Sequence, residues 1–337
     1  MSIQPPPSSR PREIGVTEPL APAYERMKQM LFKPFDLAKW ITIGFCAWLA
    51  GLGEAGGGGG GGFNGGGGGG DHRHDHGGQP AEQFRHFYHE AADFVNANLF
   101  WIVPLAVTLL VIGVTVWLLV LWLSSRGTFM FLHCVALDKA EVVEPWTKFA
   151  GEANSLFRFR IVMGLIAMVL VLPLLALTAV DILAMVLSGR ATVAGVMMAV
   201  GLVLALIFVA MVLGIIRKFM VDFVVTLMFL RGGSCLAAWR EFGDLLFANP
   251  GKFTLYILFQ IVLSWGIGLL VLLVILLTCC IAGCLMALPF LGTVLLLPVL
   301  AFKRAYPLYY LAQYGPQYDV FPAQTEPVAP PAPPLAG

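Results

Sequence analysis

Side chains able to bind metal or move protons are concentrated in one stretch of this chain. Asp71, His72, Arg73, His74, Asp75 and His76 are consecutive, and Glu82, His86, His89, Glu90 and Asp93 follow at spacings that place them near one face of a helix. Five of the six histidines lie here. Imidazole and carboxylate suit zinc, copper or nickel, so His72, His74, His76, His86, His89 and Asp93 form a candidate outward-facing metal site. The competing reading is a solvated loop followed by the polar face of a helix whose Phe84, Phe87, Tyr88 and Phe94 lie on a membrane. We take the second as the working expectation, because flexible His tracts bind metal weakly and without selectivity. No resident cofactor is therefore expected.

A glycine tract precedes the histidines, with Gly at 13 of the 15 positions 56–70, broken only by Phe63 and Asn64. Phosphate-binding patterns match such a tract trivially, but no strand precedes it and no Gly-Lys-Ser/Thr follows it. It reads as a flexible tether of about 20 Å. Elsewhere there is no serine nucleophile elbow, no paired His-Glu zinc motif and no carboxylate dyad, so no catalytic residue is assigned and the chain is not expected to be an enzyme.

What positions these residues is a set of long apolar runs at 41–52, 99–123, 161–180, 191–216 and 253–302. A bilayer core of about 30 Å needs roughly 20 helical residues, so every run but the first is long enough, and the last has room for two passes. Gap by gap, Lys and Arg number 6, 2, 5, 1, 5, 0 and 2, which puts 18 of the 21 in alternate gaps. Basic residues collect on the cytoplasmic side. The expected architecture is an all-α polytopic membrane helical bundle of about six transmembrane helices, both termini cytoplasmic, in the cell inner membrane. The 53–98 loop and the turns near 188–190 and 279–284 then face outward. The first run, about 20 Å of helix, is the short one; charge alternation argues for a crossing over a re-entrant segment.

Composition agrees: 58% of residues are hydrophobic and 12% charged, with a net charge of +1, which excludes a nucleic-acid partner and makes the lipid bilayer the expected one. Residues 1–19 and 319–337 are Pro-rich tails that cannot bury apolar surface; they are expected to be disordered and are candidate ligands for protein partners. Residues 20–318 form the membrane domain. No cleavable signal is expected. At its start Leu20, Ala23, Tyr24, Met27, Met30 and Leu31 recur at helical spacing opposite Glu25, Arg26, Lys28 and Gln29, which predicts an interfacial amphipathic helix with its basic residues toward anionic headgroups. Cys279, Cys280 and Cys284 are read as small packing residues.

No Asp, Glu, Lys, Arg or His lies within 99–123, 161–180, 191–216 or 253–302, which argues against coupled ion or proton transport. Asp181 is placed near the outer boundary, within reach of Arg190. Gln260 and Ser264, one turn apart, are expected to join helices. Lys218 and Asp222 are spaced for a structural ion pair just inside the cytoplasmic face.

Two stretches resemble each other. Phe129-Met130-Phe131-Leu132 precedes Trp146-Thr147-Lys148-Phe149 and then a span, while Leu227-Met228-Phe229-Leu230 precedes Trp239-Arg240-Glu241-Phe242 and then a span. This predicts an internal repeat, each copy placing a short interfacial helix before an inward-to-outward span and the copies sharing one direction.

The run 31–62 carries Pro34, Phe35, Asp36, Trp40, Gly44, Phe45, Trp48 and Glu54 ahead of the glycine tract. In these positions it resembles a family of prokaryotic polytopic membrane proteins known only as a domain of unknown function. The resemblance implies a bacterial inner-membrane location and the same architecture, and it carries over no activity and no functional residues. The expected role is a non-enzymatic membrane-organising or scaffolding protein. The alternatives are a transporter or channel for a neutral or amphiphilic, lipid-like solute, and an outward-facing metal-binding accessory protein.

Overall fold

The computed structural model describes residues 14–52, 90, 93–94, 96–188, 192–278, 283, 285–286 and 288–321. Among these there is no strand. In chain order the helices are α1 (Leu20–Phe32), α2 (Leu37–Leu52), α3 (Leu99–Leu137), α4 (Val143–Lys148), α5 (Ala150–Ser188) and α6 (Val193–Phe219). A π-helical turn (Met220–Val224) leads into α7 (Val225–Arg231), followed by α8 (Cys235–Ala248), α9 (Pro250–Leu277), α10 (Pro289–Leu295), α11 (Leu297–Ala312) and a 3-10 turn (Pro316–Tyr318).

Four continuous helices are long and apolar enough to cross a membrane: Leu99–Leu137, Ala150–Val186, Val193–Arg231 and Pro250–Leu277, with mean hydropathies of 2.6, 2.7, 3.0 and 2.6. Their most apolar windows are only 0%, 6%, 0% and 11% buried inside the protein. Apart from Thr178 of α5, 8% exposed, each is buried at one end only. In α3 burial begins at Leu121 and runs to Ala136; in α5 it takes Ala153 and Leu156; Phe219 closes α6 and Phe223 to Met228 follow; α9 contributes Phe253, Tyr256 and Gln260. These ends coincide with the Lys- and Arg-rich gaps. The four helices therefore run alternately toward and away from a single hub, their apolar walls projecting from it.

The hub is aromatic. Phe129, Phe223, Phe242, Phe253, Tyr256, Tyr306 and Tyr310 are at most 1% exposed. Phe223 stacks on Phe242 at 5.2 Å and meets Phe253 edge-on at 5.4 Å. Burial of each such ring contributes about 1.5–3 kcal/mol. The N-terminal segment closes the hub against α11: Gln313 Oε1 accepts from the Gly15 amide at 2.8 Å and the Tyr306 hydroxyl donates to the Val16 carbonyl at 2.6 Å.

The remaining two expected spans are built differently. α2 has 16 residues, about 24 Å of helix against roughly 30 Å of hydrocarbon. It lies antiparallel to the hub end of α3: Lys39 pairs with Asp138 at 2.9 Å, Cys46 Sγ lies 4.0 Å from Cys134 Sγ, and Ser124 Oγ donates to the Ala50 carbonyl at 2.8 Å. A Cβ on Gly127 would stand 2.5 Å from the Ala50 amide nitrogen, so only glycine admits this backbone approach. α2 thus ends beside Ser124, about 37 Å of helix short of Leu99. In this register α2 pairs with the hub end of α3 alone, and it is shorter than the four helices of spanning length. The stretch after 288 is likewise divided, into α10 and α11, and α10 packs on α2 with Phe290 edge-on to Trp48 at 6.1 Å.

α1 also differs from expectation. Its apolar residues Ala23, Met30 and Leu31 are buried in the hub, where a membrane surface had been expected. Its Arg26 donates through Nε to the Val135 carbonyl at 3.0 Å and through Nη2 to the Ala136 carbonyl at 2.6 Å. A cation on the open carbonyls of a helix C-terminus is favourable both as a cap and toward the helix dipole.

Candidate functional site

The described residue with the most unusual combination of charge and burial is Asp222, 4% exposed and set on the π-helical turn. A π turn inserts one residue per turn and so re-aims its side chains; such turns are frequent at functional positions. Lys218 Nζ, one turn earlier and partly open to solvent, lies 2.9 Å from Asp222 Oδ2. The Tyr256 hydroxyl of α9 donates to the same oxygen at 2.8 Å, and Gln260 Nε2 donates to the Tyr256 oxygen at 3.0 Å. From α11, Arg304 Nη1 donates to the Val221 carbonyl at 2.6 Å. The carboxylate thus ties α6 to α9, the adjacent Val221 carbonyl ties the π turn to α11, and the chain of polar groups runs from the solvent edge at Lys218 to Gln260.

A second polar cluster fastens α5 to α3. Arg160 Nη1 donates to Ser124 Oγ and Ser125 Oγ at 3.2 and 3.3 Å, and Nη2 to Thr128 Oγ1 at 3.3 Å. Nearby, His133 is fully buried with neither ring nitrogen hydrogen-bonded, its ring centroid 6.1 Å from Phe149 and 6.4 Å from Phe229. Cys235 accompanies this region at the head of α8, where Ser155 Oγ accepts from its amide at 3.0 Å, and burial pushes its thiol up to about 12. Burial likewise holds the phenols of Tyr306, Tyr310 and Tyr314 above the usual tyrosine range.

A crevice of about 70 Å³ opens between α7 and α8, lined by Leu227, Arg231, Gly232, Ala237, Ala238 and Glu241. It has room for a few waters. Arg231 and Glu241 pair across it at 2.5 Å.

Of the residues singled out in the sequence, Lys218 and Asp222 meet as expected. Gln260 joins helices through Tyr256, whereas Ser264 is exposed. Trp146 and Trp239 each lie in a short helix, α4 and α8, ahead of α5 and α9. His72, His74, His76, His86 and His89 fall outside the described residues, as do Arg190, the three-cysteine group's Cys279, Cys280 and Cys284, and residues 1–13 and 322–337 of the Pro-rich tails. Asp93 is described and exposed. Three or more potential metal ligands do not converge among the described residues. Tyr256, Arg304 and the Arg160 cluster were missed. Their one sequence signal is an arginine directly flanking an apolar run, at Arg160 and Arg304.

Alternating apolar helices of spanning length, anchored in one polar-tied hub, define an all-α polytopic membrane protein. The chain belongs to DUF7544, a family of unknown function, which matches residues 15–311. No curated protein and no solved structure matches it.

Proposed function

We propose that this chain is a non-enzymatic integral membrane protein that organises its membrane surroundings laterally, held in the cell inner membrane with both termini cytoplasmic. The observation that carries this reading is the contrast in burial: four spanning windows are 0–11% buried within the chain, while the hub at their ends is closed by aromatic rings. Helices that lean so little on one another offer their walls to lipid and to the helices of other proteins. The network at Asp222 joins Lys218, Tyr256 and Gln260 across two helices, which suits a part that fixes helix positions. The alternating Lys and Arg counts support the cytoplasmic placement of the hub. The glycine- and histidine-rich loop, on this reading, reaches outward, and the Pro-rich tails extend into the cytoplasm as contacts for protein partners.

The two stretches around Trp146 and Trp239 fit a repeated unit of like direction, each a helix entering the hub, a short amphipathic helix, and a helix leaving it. Purification from native membranes in polymer-bounded discs tests the role. The expected result is stoichiometric protein or a second copy of the chain bound through the spans, found by mass spectrometry. A lone monomer that passes neutral solute when reconstituted contradicts it and favours the transporter alternative.

A further inference from the structure

The wall of α3 meets the hub at a cation framed by tryptophans. Arg126, one turn after Trp122, has its guanidinium carbon 4.9 Å from the Trp122 ring and 4.9 Å from that of Trp146 on α4. The two indoles meet edge-on at 5.8 Å. Trp122 Nε1 donates to Asn154 Oδ1 of α5 at 3.2 Å, and Arg158 follows Asn154 by one turn on the same exposed stripe.

Arg126 makes one hydrogen bond to the protein, from Nη1 to the Trp146 carbonyl at 2.8 Å, while its Nε is buried without a partner. Among the described residues no carboxylate pairs with Arg126 or Arg158. The position fits a charge at the edge of a bilayer: residues 99–120 before it are an exposed apolar wall, and Leu121 begins the buried hub. Tryptophans at that level anchor in the headgroup layer, and a guanidinium is a planar fork suited to phosphate oxygens. A buried or half-buried cation without a counter-ion is costly, and an anion supplied from outside the chain relieves that cost.

We propose that Arg126 and Arg158, framed by Trp122 and Trp146, bind the phosphate of an anionic phospholipid headgroup in the inner leaflet. The adjoining apolar wall of α3 commits the ligand to a lipid over a soluble phosphate, since acyl chains would lie along it. Free phosphate has only the arginines to hold it.

The inference rests on the membrane reading above, and the test separates the two. The full-length protein is exchanged into mixed nanodiscs of phosphatidylcholine and phosphatidylglycerol, released, and weighed with its retained lipids by native mass spectrometry. Total retained lipid reports the membrane reading; the phosphatidylglycerol excess reports the site. The wild type should retain phosphatidylglycerol preferentially, and Arg126→Gln and Arg158→Gln should each reduce that preference about five-fold, as expected for one surface cation. Arg158 is exposed, so its variant carries the test if Arg126→Gln does not fold. Lys139→Gln, at an exposed lysine already paired with Glu141, should change nothing, and excess inorganic phosphate should not compete. Equal retention of both lipids by the wild type, or an undiminished preference in the folded variants, would overturn the site. Full competition by phosphate would overturn the lipid as its ligand.

Discussion

The Tyr256 hydroxyl reaches across from α9 to the Asp222 carboxylate on the π turn, 2.8 Å away, and so couples a helix leaving the hub to one entering it. Because both groups are buried, the bond has no water to replace it when one partner is removed.

Asp222→Asn should therefore destabilise the hub by about 1–3 kcal/mol, since Tyr256 loses a charged acceptor while Lys218, partly open to solvent, is re-solvated. Tyr256→Phe should cost about 1–2 kcal/mol by taking one donor from a buried carboxylate. Unfolding in mixed micelles, with both variants and their double mutant, measures the costs and their coupling. Purely additive effects would show that the two groups do not act together.

Gly127 tests the seam between α2 and α3. Gly127→Val forces the backbones apart, so the Cys46 and Cys134 thiols, now 4.0 Å apart, should separate. Mild oxidation of the wild type should cross-link the pair, and the variant's yield should fall by roughly an order of magnitude, as a misplaced thiol pair cannot bridge. Undiminished cross-linking in the variant would contradict the register.

Cys235 should be a slow thiol in the folded protein. With its pKa pushed up to about 12, it stays protonated at neutral pH, and the thiolate is the reactive form. Maleimide labelling in detergent should leave it unmodified until the fold opens. Rapid labelling in the folded state would show that α8 does not cover it.

Alkali should open the hub through its tyrosines. Tyr306, Tyr310 and Tyr314 are held above the ordinary phenol range, chiefly by burial. A raised folded-state value means that the stabilisation is fully present below the unfolded value, about 10, and is lost as pH rises through the folded one. Circular dichroism should show loss of structure beginning above pH about 10, with Tyr314→Phe shifting the onset upward. An onset far below that window would point to a different titrating group.

Much of the architecture was legible because hydropathy and basic-residue counts answer to the bilayer alone. The runs at 99–123 and 161–180 each lie within one long helix, as do residues 193–216 of the third run and 253–277 of the run at 253–302. The Lys218 and Asp222 pair was legible too, because i,i+4 spacing needs no tertiary information. Tyr256 was not, since its partner lies 34 residues away and only the π turn aims Asp222 at it. α1 misled for a related reason: an apolar helical face reads the same whether it meets lipid or, as here, α11 and the end of α3. The short run at 41–52 was read through charge alternation, and its packing partner, set by Gly127, could not be seen from either segment alone.

The central claim is that the spanning helices present their walls to lipid and to other helices, with no water-filled path between them. Single spin labels at Leu105, Val169, Leu204 and Leu270, which are 60%, 67%, 60% and 58% exposed, address it in reconstituted bilayers. Collision rates with lipid-soluble oxygen and with a water-soluble nickel chelate give each site's surroundings. The account predicts high oxygen and low chelate accessibility at all four sites, extending around each helix when neighbouring positions are scanned. Chelate accessibility recurring every helical turn on facing stripes of these helices would mark an aqueous pathway and contradict it.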